Sequence, residues 1–398
     1  MISEKTQRTK TIHQPPFSFS LIPDEITENI LARVSRWNYP SLSLVSKRFR
    51  SLVSSMQIYK TRSQIGSQET CFYVYLELRN NPYRSWFSLW TKPNQTPTKL
   101  RWKNWYKKDS SGKFSVVPLP FSSSHSPHIT NSTKIIGSEI YIIGGPFEEP
   151  SSSVRILDCR SHTWRDGPNM TLARENAGAL FSDNKIYVMG GCHIDEDFAN
   201  WIEVFDMKTQ SWTALPGPGA DEDELRSLLH ECYYIDIVDV RDGKLYLAID
   251  EKEYAYDPKD GTWKLVRDQP NFLLDTLVVA YEIENVMYGC MSSGVLKWFD
   301  SKTDGGEWRE IKGLEKLRGH CTNGLRTGRA FDITEDGRKL LVMWKLSGDK
   351  GKNKIWYARI SLESRCNGRE VWGNVECVDV LTFPGESFDT FFCLTASV

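Results

Sequence analysis

A chain of 398 residues with 40% hydrophobic and 25% charged residues has room for a small module plus one large domain, and it is too apolar for global disorder. Its formal net charge of −1 supplies no overall attraction to nucleic acid or to an anionic membrane. Fourteen Trp residues point to a packing role that is repeated along the chain.

Residues 1–17 contain no apolar run, which excludes a secretory signal and reads as a flexible tail. From 18 to 65 the pattern is helical. Pro23 suits the first position of a helix, where its missing N–H would be unpaired anyway. Asp24 and Glu25 follow in the first turn, favoured by the helix dipole. Ile26, Ile30 and Val34 recur at i, i+4 and i+8, and Leu31 widens the stripe. Asn38-Tyr39-Pro40 interrupts the helix. A second helix is expected from about Ser41, with Leu42, Val45, Phe49 and Leu52 on one face and Lys47, Arg48 and Arg50 around the rest. Three cations on one helix, without interleaved aromatic residues, read as a solvated face rather than a nucleic-acid patch. Helices this short are marginal alone, so part of their apolar surface is expected to meet a partner or the following domain.

The segment LIPDEITENILARVSRWNYPSLSLVSKRFRSL resembles an F-box. The shared features are the Leu-x-Pro-Asp-Glu start, the Ile-Leu pair and the Leu-x-x-Val-Ser-Lys-x-Phe close. Its Tyr-Pro-x-Leu-Ser-Leu-Val-Ser-Lys run is similar to plant F-box/kelch proteins in particular, where Phe49 and Ser46 are usual in place of the Trp and Cys of many F-boxes. The resemblance implies binding to a Skp-type adaptor and, through it, to cullin and RING subunits of a ubiquitin ligase. The adaptor contacts it implies are Leu21, Pro23, Ile26, Ile30, Leu31, Val34, Leu42, Val45, Lys47 and Phe49.

Residues 71–398 carry a repeat. IYIIGG (140–145) and IYVMGG (186–191) lie 46 residues apart, and KLYLAID (244–250) and VMYGCM (286–291) are worn copies. Each run reads as an inner, buried strand ended by glycine. In VRILDCRSHTW, EVFDMKTQSW and YAYDPKDGTW an Asp stands six residues before a Trp, and KWFDSKTDGGEW keeps the order with a longer turn. This predicts a strand, an Asp-initiated turn and an outer strand whose Trp packs on the adjoining repeat. Trp164, Trp212, Trp263 and Trp308 are spaced by 48, 51 and 45 residues, the period of a four-stranded propeller blade. The double Gly, the Tyr and the distant Trp resemble kelch repeats.

A ring must close, because an open one exposes sheet edges. Asp389–Val398 is a strand-like run with no partner in sequence, and it is expected to complete the first blade. The fold class is therefore a small all-α F-box module followed by an all-β kelch-type propeller of six blades. The blades are assigned to 71–120 plus the C-terminal strand, 128–170, 171–218, 230–268, 275–314 and 325–382. Seven blades is the alternative, since 314–330 is irregular.

Catalytic motifs are absent from the sequence: there is no Gly-x-Ser-x-Gly, no phosphate loop and no His-Glu-x-x-His. Cys192-His193 with Asp195, Glu196 and Asp197 is the one local group of possible metal ligands, and it follows a Gly-Gly where a solvated loop belongs. A metal-dependent propeller oxidase would need His and Tyr ligands converging near the axis, and seven dispersed His do not supply them. The chain is read as non-catalytic, with no cofactor. The nine Cys lie singly, without a Cys-x-x-Cys pair, as expected of reduced thiols in the cytoplasm or nucleus. The most apolar stretch, 271–281, is too short to span a bilayer and carries Asp275. The acidic run 220–225 reads as a solvated loop, or as a contact for a basic target. By resemblance to substrate-binding kelch propellers, Arg174, Asn176 and His193 are expected to line the mouth of the ring. The expected function is a substrate receptor of an SCF-type ubiquitin ligase, holding an unnamed protein target. The alternative is a kelch scaffold not coupled to ubiquitination.

Overall fold

The structure is a computed structural model that describes residues 22–78, 85–91, 114–119, 129, 132–146, 148–192, 200–219, 222–231, 236–249, 252–268, 277–284, 286–300, 308–319, 331–346, 353–385 and 387–398. It divides into two compact units, Met1–Gln68 and Glu69–Val398.

The first unit is helical: α1 (Asp24–Ala32), a 3-10 turn (Arg36–Asn38), α2 (Tyr39–Val45), α3 (Lys47–Val53) and α4 (Met56–Gln64). Pro23 caps α1 from outside, with ψ of 152°, rather than occupying its first turn. The single second helix expected from Ser41 is two helices. Ser46 is fully extended (φ −159°, ψ 161°) and its hydroxyl accepts the Phe49 N–H at 3.0 Å, so it ends α2 and caps α3. Ser35 and Ser55 cap the 3-10 turn and α4 in the same way. Leu31, Ala32, Tyr39, Val53 and Ile58 form the core of this unit, with Leu42, Phe49, Leu52, Tyr59 and Ile65 packed around them.

The second unit holds six four-stranded antiparallel sheets. Blade 1 contains β1 (Thr70–Leu78), β2 (Ser85–Thr91) and β3 (Phe114–Pro118). Blade 2 contains β4 (Lys134–Ile136), β5 (Glu139–Ile143), β6 (Val154–Asp158) and β7 (Thr163–Asp166). Blade 3 contains β8 (Gly178–Ser182), β9 (Lys185–Met189), β10 (Ile202–Asp206) and β11 (Ser211–Leu215), and is followed by α5 (Asp223–Glu231). Blade 4 contains β12 (Asp236–Arg241), β13 (Lys244–Ile249), β14 (Lys252–Asp257) and β15 (Thr262–Asp268). Blade 5 contains β16 (Leu277–Ile283), β17 (Val286–Met291), β18 (Leu296–Phe299) and β19 (Arg309–Glu310). Blade 6 contains β20 (Phe331–Glu335), β21 (Leu340–Trp344), β22 (Lys354–Arg365) and β23 (Glu370–Thr382). The last strand, β24 (Phe388–Ser397), returns to blade 1 and pairs with β1, giving the order β24-β1-β2-β3. Six blades closed by the C-terminal strand are thus what the chain forms.

The innermost strands adjoin one another: β4 lies beside β24 and β8, β8 beside β12, and β20 beside β16 and β24. The IYIIGG-type runs are the second strand of each blade, paired on both edges. Each blade is covered by neighbours on both faces, so its central strands are largely apolar; LLVMW in β21 is buried at every position. Packed side chains fill the seams between blades 2 and 3, 3 and 4, 5 and 6, and 6 and 1.

The Asp–Trp register has a local cause. Asp158, Asp206 and Asp257 each accept a backbone N–H two residues on, at 2.8, 2.7 and 3.0 Å. Four residues after each Asp, His162, Gln210 and Gly261 turn the chain at positive φ, and two residues later the Trp begins its work on the neighbouring blade. Trp164 stacks edge-on with Trp86 of blade 1 at 5.4 Å, and Trp263 meets Trp201 of blade 3 at 5.9 Å. Trp212 donates its indole N–H to the Pro168 carbonyl at 2.8 Å. Trp308 instead packs on Phe299 of its own blade.

Candidate functional site

In the helical unit, α1 is amphipathic. Thr27, Leu31 and Ala32 face inward, while Ile26 and Ile30, one turn apart, are 53% and 40% exposed. Leu44 and Val45, at the end of α2, are 78% and 66% exposed. Met56 is also exposed. Large apolar side chains exposed on a folded module are what a contact surface is built from.

Two arginines tie α3 and α4 to the two ends of α1. Arg48 of α3 reaches back to the start of α1. Its Nε donates to Asp24 Oδ1 at 2.6 Å, and its Nη2 donates to Thr27 Oγ1 at 3.1 Å and to the Ile22 carbonyl. Arg62 of α4 is buried, and its Nη1 donates to the carbonyls of Ala32 at 3.0 Å and Val34 at 2.8 Å. The Ala32 carbonyl is one that the end of α1 leaves without a helical partner. The Tyr39 hydroxyl donates to Leu31 O at 3.3 Å, which also accepts the Val34 N–H at 3.0 Å.

The residues expected at the adaptor surface fall into three groups. Pro23, Ile26, Ile30, Val45 and Lys47 are exposed. Val34, Leu42 and Phe49 are half-buried, the last two against the core. Leu31 is 3% exposed and belongs to the core itself, because it shares the inward face of α1 with Thr27 and Ala32, while Ile26 and Ile30 of the same apolar stripe face out. Leu21 lies outside the described residues. Leu44 escaped the sequence reading: in a helix it points away from Leu42, two positions earlier, and the apolar stripe was drawn through Leu42. Arg62 left no pattern in the sequence, because its partners are main-chain carbonyls.

In the propeller, residues 171–177 cross from blade 2 to blade 3. Arg174 does not line an open mouth. It is 0% exposed and so is Glu203 of β10, to which its Nη2 donates at 2.8 Å. Its Nη1 donates to the carbonyls of Gly190 at 2.7 Å and Trp201 at 3.0 Å, and lies 3.3 Å from Cys192 Sγ. Glu203 in turn accepts the Thr171 N–H at 2.8 Å. The pair clasps the crossover to the base of the 190–201 loop. Asn176 sits in the same crossover at φ 48°, half-buried, with its N–H donated to the Gly145 carbonyl at 2.9 Å. His193 lies outside the described residues. The double glycines admit this lacing: a Cβ on Gly145 would come within 1.7 Å of the Glu149 carbonyl oxygen, and one on Gly191 within 2.2 Å of that of Glu175.

The acidic run is not a plain loop. From Asp223 it forms α5, whose Leu225 and Leu229 are buried with Trp201, Ile249 and Tyr254. The outward carboxylates remain exposed at Asp223 and Glu224. Lys252 binds Glu224 at 2.5 Å, and that bond holds the Glu224 carboxyl below its ordinary range. Among the described residues, no group of three or more His, Cys, Asp or Glu is placed to hold a metal ion, and no helix is long and apolar enough to cross a membrane. Of the possible ligands near Cys192, His193 and Asp195–Asp197 lie outside the described residues.

Comparison with known proteins covers both units. The F-box domain model matches residues 19–61, and the FKB95 Kelch-repeats domain model matches residues 86–382. F-box/kelch-repeat protein At5g39560 of Arabidopsis thaliana is 43% identical, over 100% of this chain and 98% of its own length. F-box/kelch-repeat protein At4g19870 of the same plant is 40% identical, over 99% of this chain and 98% of its own length. Exposed apolar helices, a six-bladed ring and full-length likeness converge, and the chain belongs to the F-box/kelch-repeat family.

Proposed function

We propose that this protein is the substrate-receptor subunit of an SCF-type ubiquitin ligase. Its helical unit docks a Skp-type adaptor, and through it cullin and RING subunits, while the propeller holds the protein to be ubiquitinated. The observation that carries the reading is the exposure of Ile26, Ile30, Leu44 and Val45 on a unit whose own core is complete without them. Burying four such side chains is worth about 1.5–3 kcal/mol each when fully desolvated, enough to anchor a partner. The protein makes and breaks no bond itself in this reading. It raises the rate by holding a target beside the conjugating enzyme. Its place of action is the cytoplasm or nucleus.

Co-expression with a Skp-type adaptor tests the reading. The wild type is expected to co-purify with the adaptor, and Ile26→Asp combined with Leu44→Asp is expected to abolish this. The double variant should keep the propeller's melting transition, because neither residue is in the core. A wild type that fails to bind the adaptor, or a double variant that still binds it, overturns the proposal in favour of a kelch scaffold not coupled to ubiquitination.

A further inference from the structure

Five of the six junctions in the ring are tied by named contacts. Between blades 1 and 2, Trp164 meets Trp86, and the Tyr73 hydroxyl donates to the Cys159 carbonyl at 3.0 Å. Trp212 ties blade 3 to Pro168 of blade 2, and Trp263 ties blade 4 to Trp201 of blade 3. The chain leaving β19 is stitched to blade 6: the Lys312 N–H donates to the Val371 carbonyl at 3.0 Å, and the Gly373 N–H to the Lys312 carbonyl at 2.8 Å. Between blades 6 and 1, Met343 and Leu381 are buried with Phe72 and Phe391. The junction of blades 4 and 5 differs. Trp308, which by its place in the repeat should reach blade 4, packs on Phe299 of its own blade at 5.6 Å. Among the described residues, adjacent innermost strands close up at the other five junctions, and β12 and β16 do not close up to the same degree.

The sequence supplies the cause. In the second strand of a blade, alternate side chains point at the preceding blade. At the middle of that face stand Ile142 in blade 2, Val188 in blade 3, Leu247 in blade 4 and Val342 in blade 6, and Gly289 takes the place in blade 5. Val188, Leu247 and Val342 are buried in the seams with the preceding blades; Gly289 has no side chain to offer blade 4. Across this junction blade 4 sets Tyr246, Ala248 and Ala255, and blade 5 sets Met287 and Met291 beside Gly289. Of those five side chains, Ala255 and Met291 are buried and the rest are half-buried. Val278, the bulge residue of β16, is 49% exposed, and Glu282, paired with Met287, is exposed. On the opposite face of blade 5, Tyr288, Cys290 and Trp298 are buried against blade 6. We propose that the ring parts at the junction of blades 4 and 5: this seam opens to solvent and recloses while the other five stay shut, and blade 5 moves with blade 6. A ring with one soft junction can widen at its face without unfolding a blade.

Three buried methionines report on the seams without any substitution. Met291 faces blade 4, Met189 lies between blades 3 and 4, and Met343 lies between blades 6 and 1; they are 2%, 0% and 0% exposed. The native full-length protein is treated with hydrogen peroxide, which passes one oxygen to a thioether and leaves as water. Sulfoxide formation is followed by peptide mass spectrometry, and each rate is divided by that of the same residue in the urea-unfolded chain. Met291 is expected to oxidise at least about tenfold faster than Met189 and Met343, as a locally opened site does relative to sites released only by wider unfolding. The amides of β17, paired on both edges within blade 5, should stay protected from hydrogen exchange over the same interval. In Ala255→Cys, on the facing surface of blade 4, the new thiol should react with a small thiol reagent faster than Cys290, which is buried on the other side of blade 5. Equal rates at the three methionines overturn the proposal whether or not the variant folds. Exchange of the β17 amides in step with Met291 oxidation overturns it too, because blade 5 would then be unfolding. So does a thiol at position 255 that reacts no faster than Cys290, because only the end of β17 would then be fraying.

Discussion

Arg174 shows how a residue acquires a role that its own neighbourhood in sequence does not display. As part of LARENAG it stands where a loop enters the face of the ring, and a cation there reads as a binding residue. In the fold it is a buried ion with a buried counter-ion, Glu203, and three main-chain carbonyls, those of Gly190, Asn200 and Trp201. Arg174→Met should cost about 3–5 kcal/mol, because Glu203 is left charged and unpaired in a dry site. Arg174→Met with Glu203→Met should recover most of that loss, and urea denaturation of both variants measures the difference. The partner lies on another strand, 29 residues away, and no spacing rule joins the two. The Asp of each hairpin was legible because its bonds are local. Asp206 accepts the N–H groups of Lys208 and Thr209, which hold its carboxyl below the ordinary range, and those residues are adjacent in the chain.

At the scale of elements, the helical unit was readable in outline and misread in detail. The apolar stripe located α1, and Pro40 located the interruption before α2. The break at Ser46 was hidden, since the 3–4 spacing of Leu42, Val45, Phe49 and Leu52 runs through it without a fault. What breaks the helix is a competing hydrogen bond, the Ser46 hydroxyl to the Phe49 N–H. The stripe drawn through Leu42 also hid Leu44, and the family resemblance, not the spacing, named Leu31 as a surface contact. A substitution pair separates the two kinds of position. Leu31→Ala should destabilise the helical unit by about 2–5 kcal/mol through the cavity it leaves. Ile26→Asp should change it by less than about 0.5 kcal/mol, as a surface substitution away from the core does. Thermal melts followed by circular dichroism on the full chain, with the propeller transition as internal reference, distinguish them. A large loss for Ile26→Asp with a small one for Leu31→Ala would mean that α1 presents its faces the other way round.

For the whole molecule, period and closure were both in the sequence. Strands recurring every 45 to 51 residues fix the blade, and a lone strand at the end of the chain has one place to go. Six blades follow from counting. What could not be counted was packing between repeats that lack the motif. β20 has no Gly-Gly or Trp landmark, and α5 interrupts a run whose charge suggested only a loop. Removal of residues 388–398 should leave β1 with a bare edge and strip Phe388, Phe391 and Cys393 from the seam between blades 6 and 1. An open edge of that length is a template for pairing with other chains. The truncated protein is expected to aggregate on size-exclusion chromatography, while a deletion confined to residues 1–17 should not change the elution of the monomer.

Closure by β24 also sets an order of events in time. As the polypeptide leaves the ribosome, α1–α4 are complete long before any propeller, and the helical unit can exist while the propeller is still being made. β1–β3 must then wait, one strand short, through the synthesis of five whole blades. Throughout that interval the nascent chain has a finished helical unit and no finished ring. A premature stop late in the message would yield a protein that keeps the helical unit without a closed propeller, and on the function proposed above it would occupy the adaptor and bring no target.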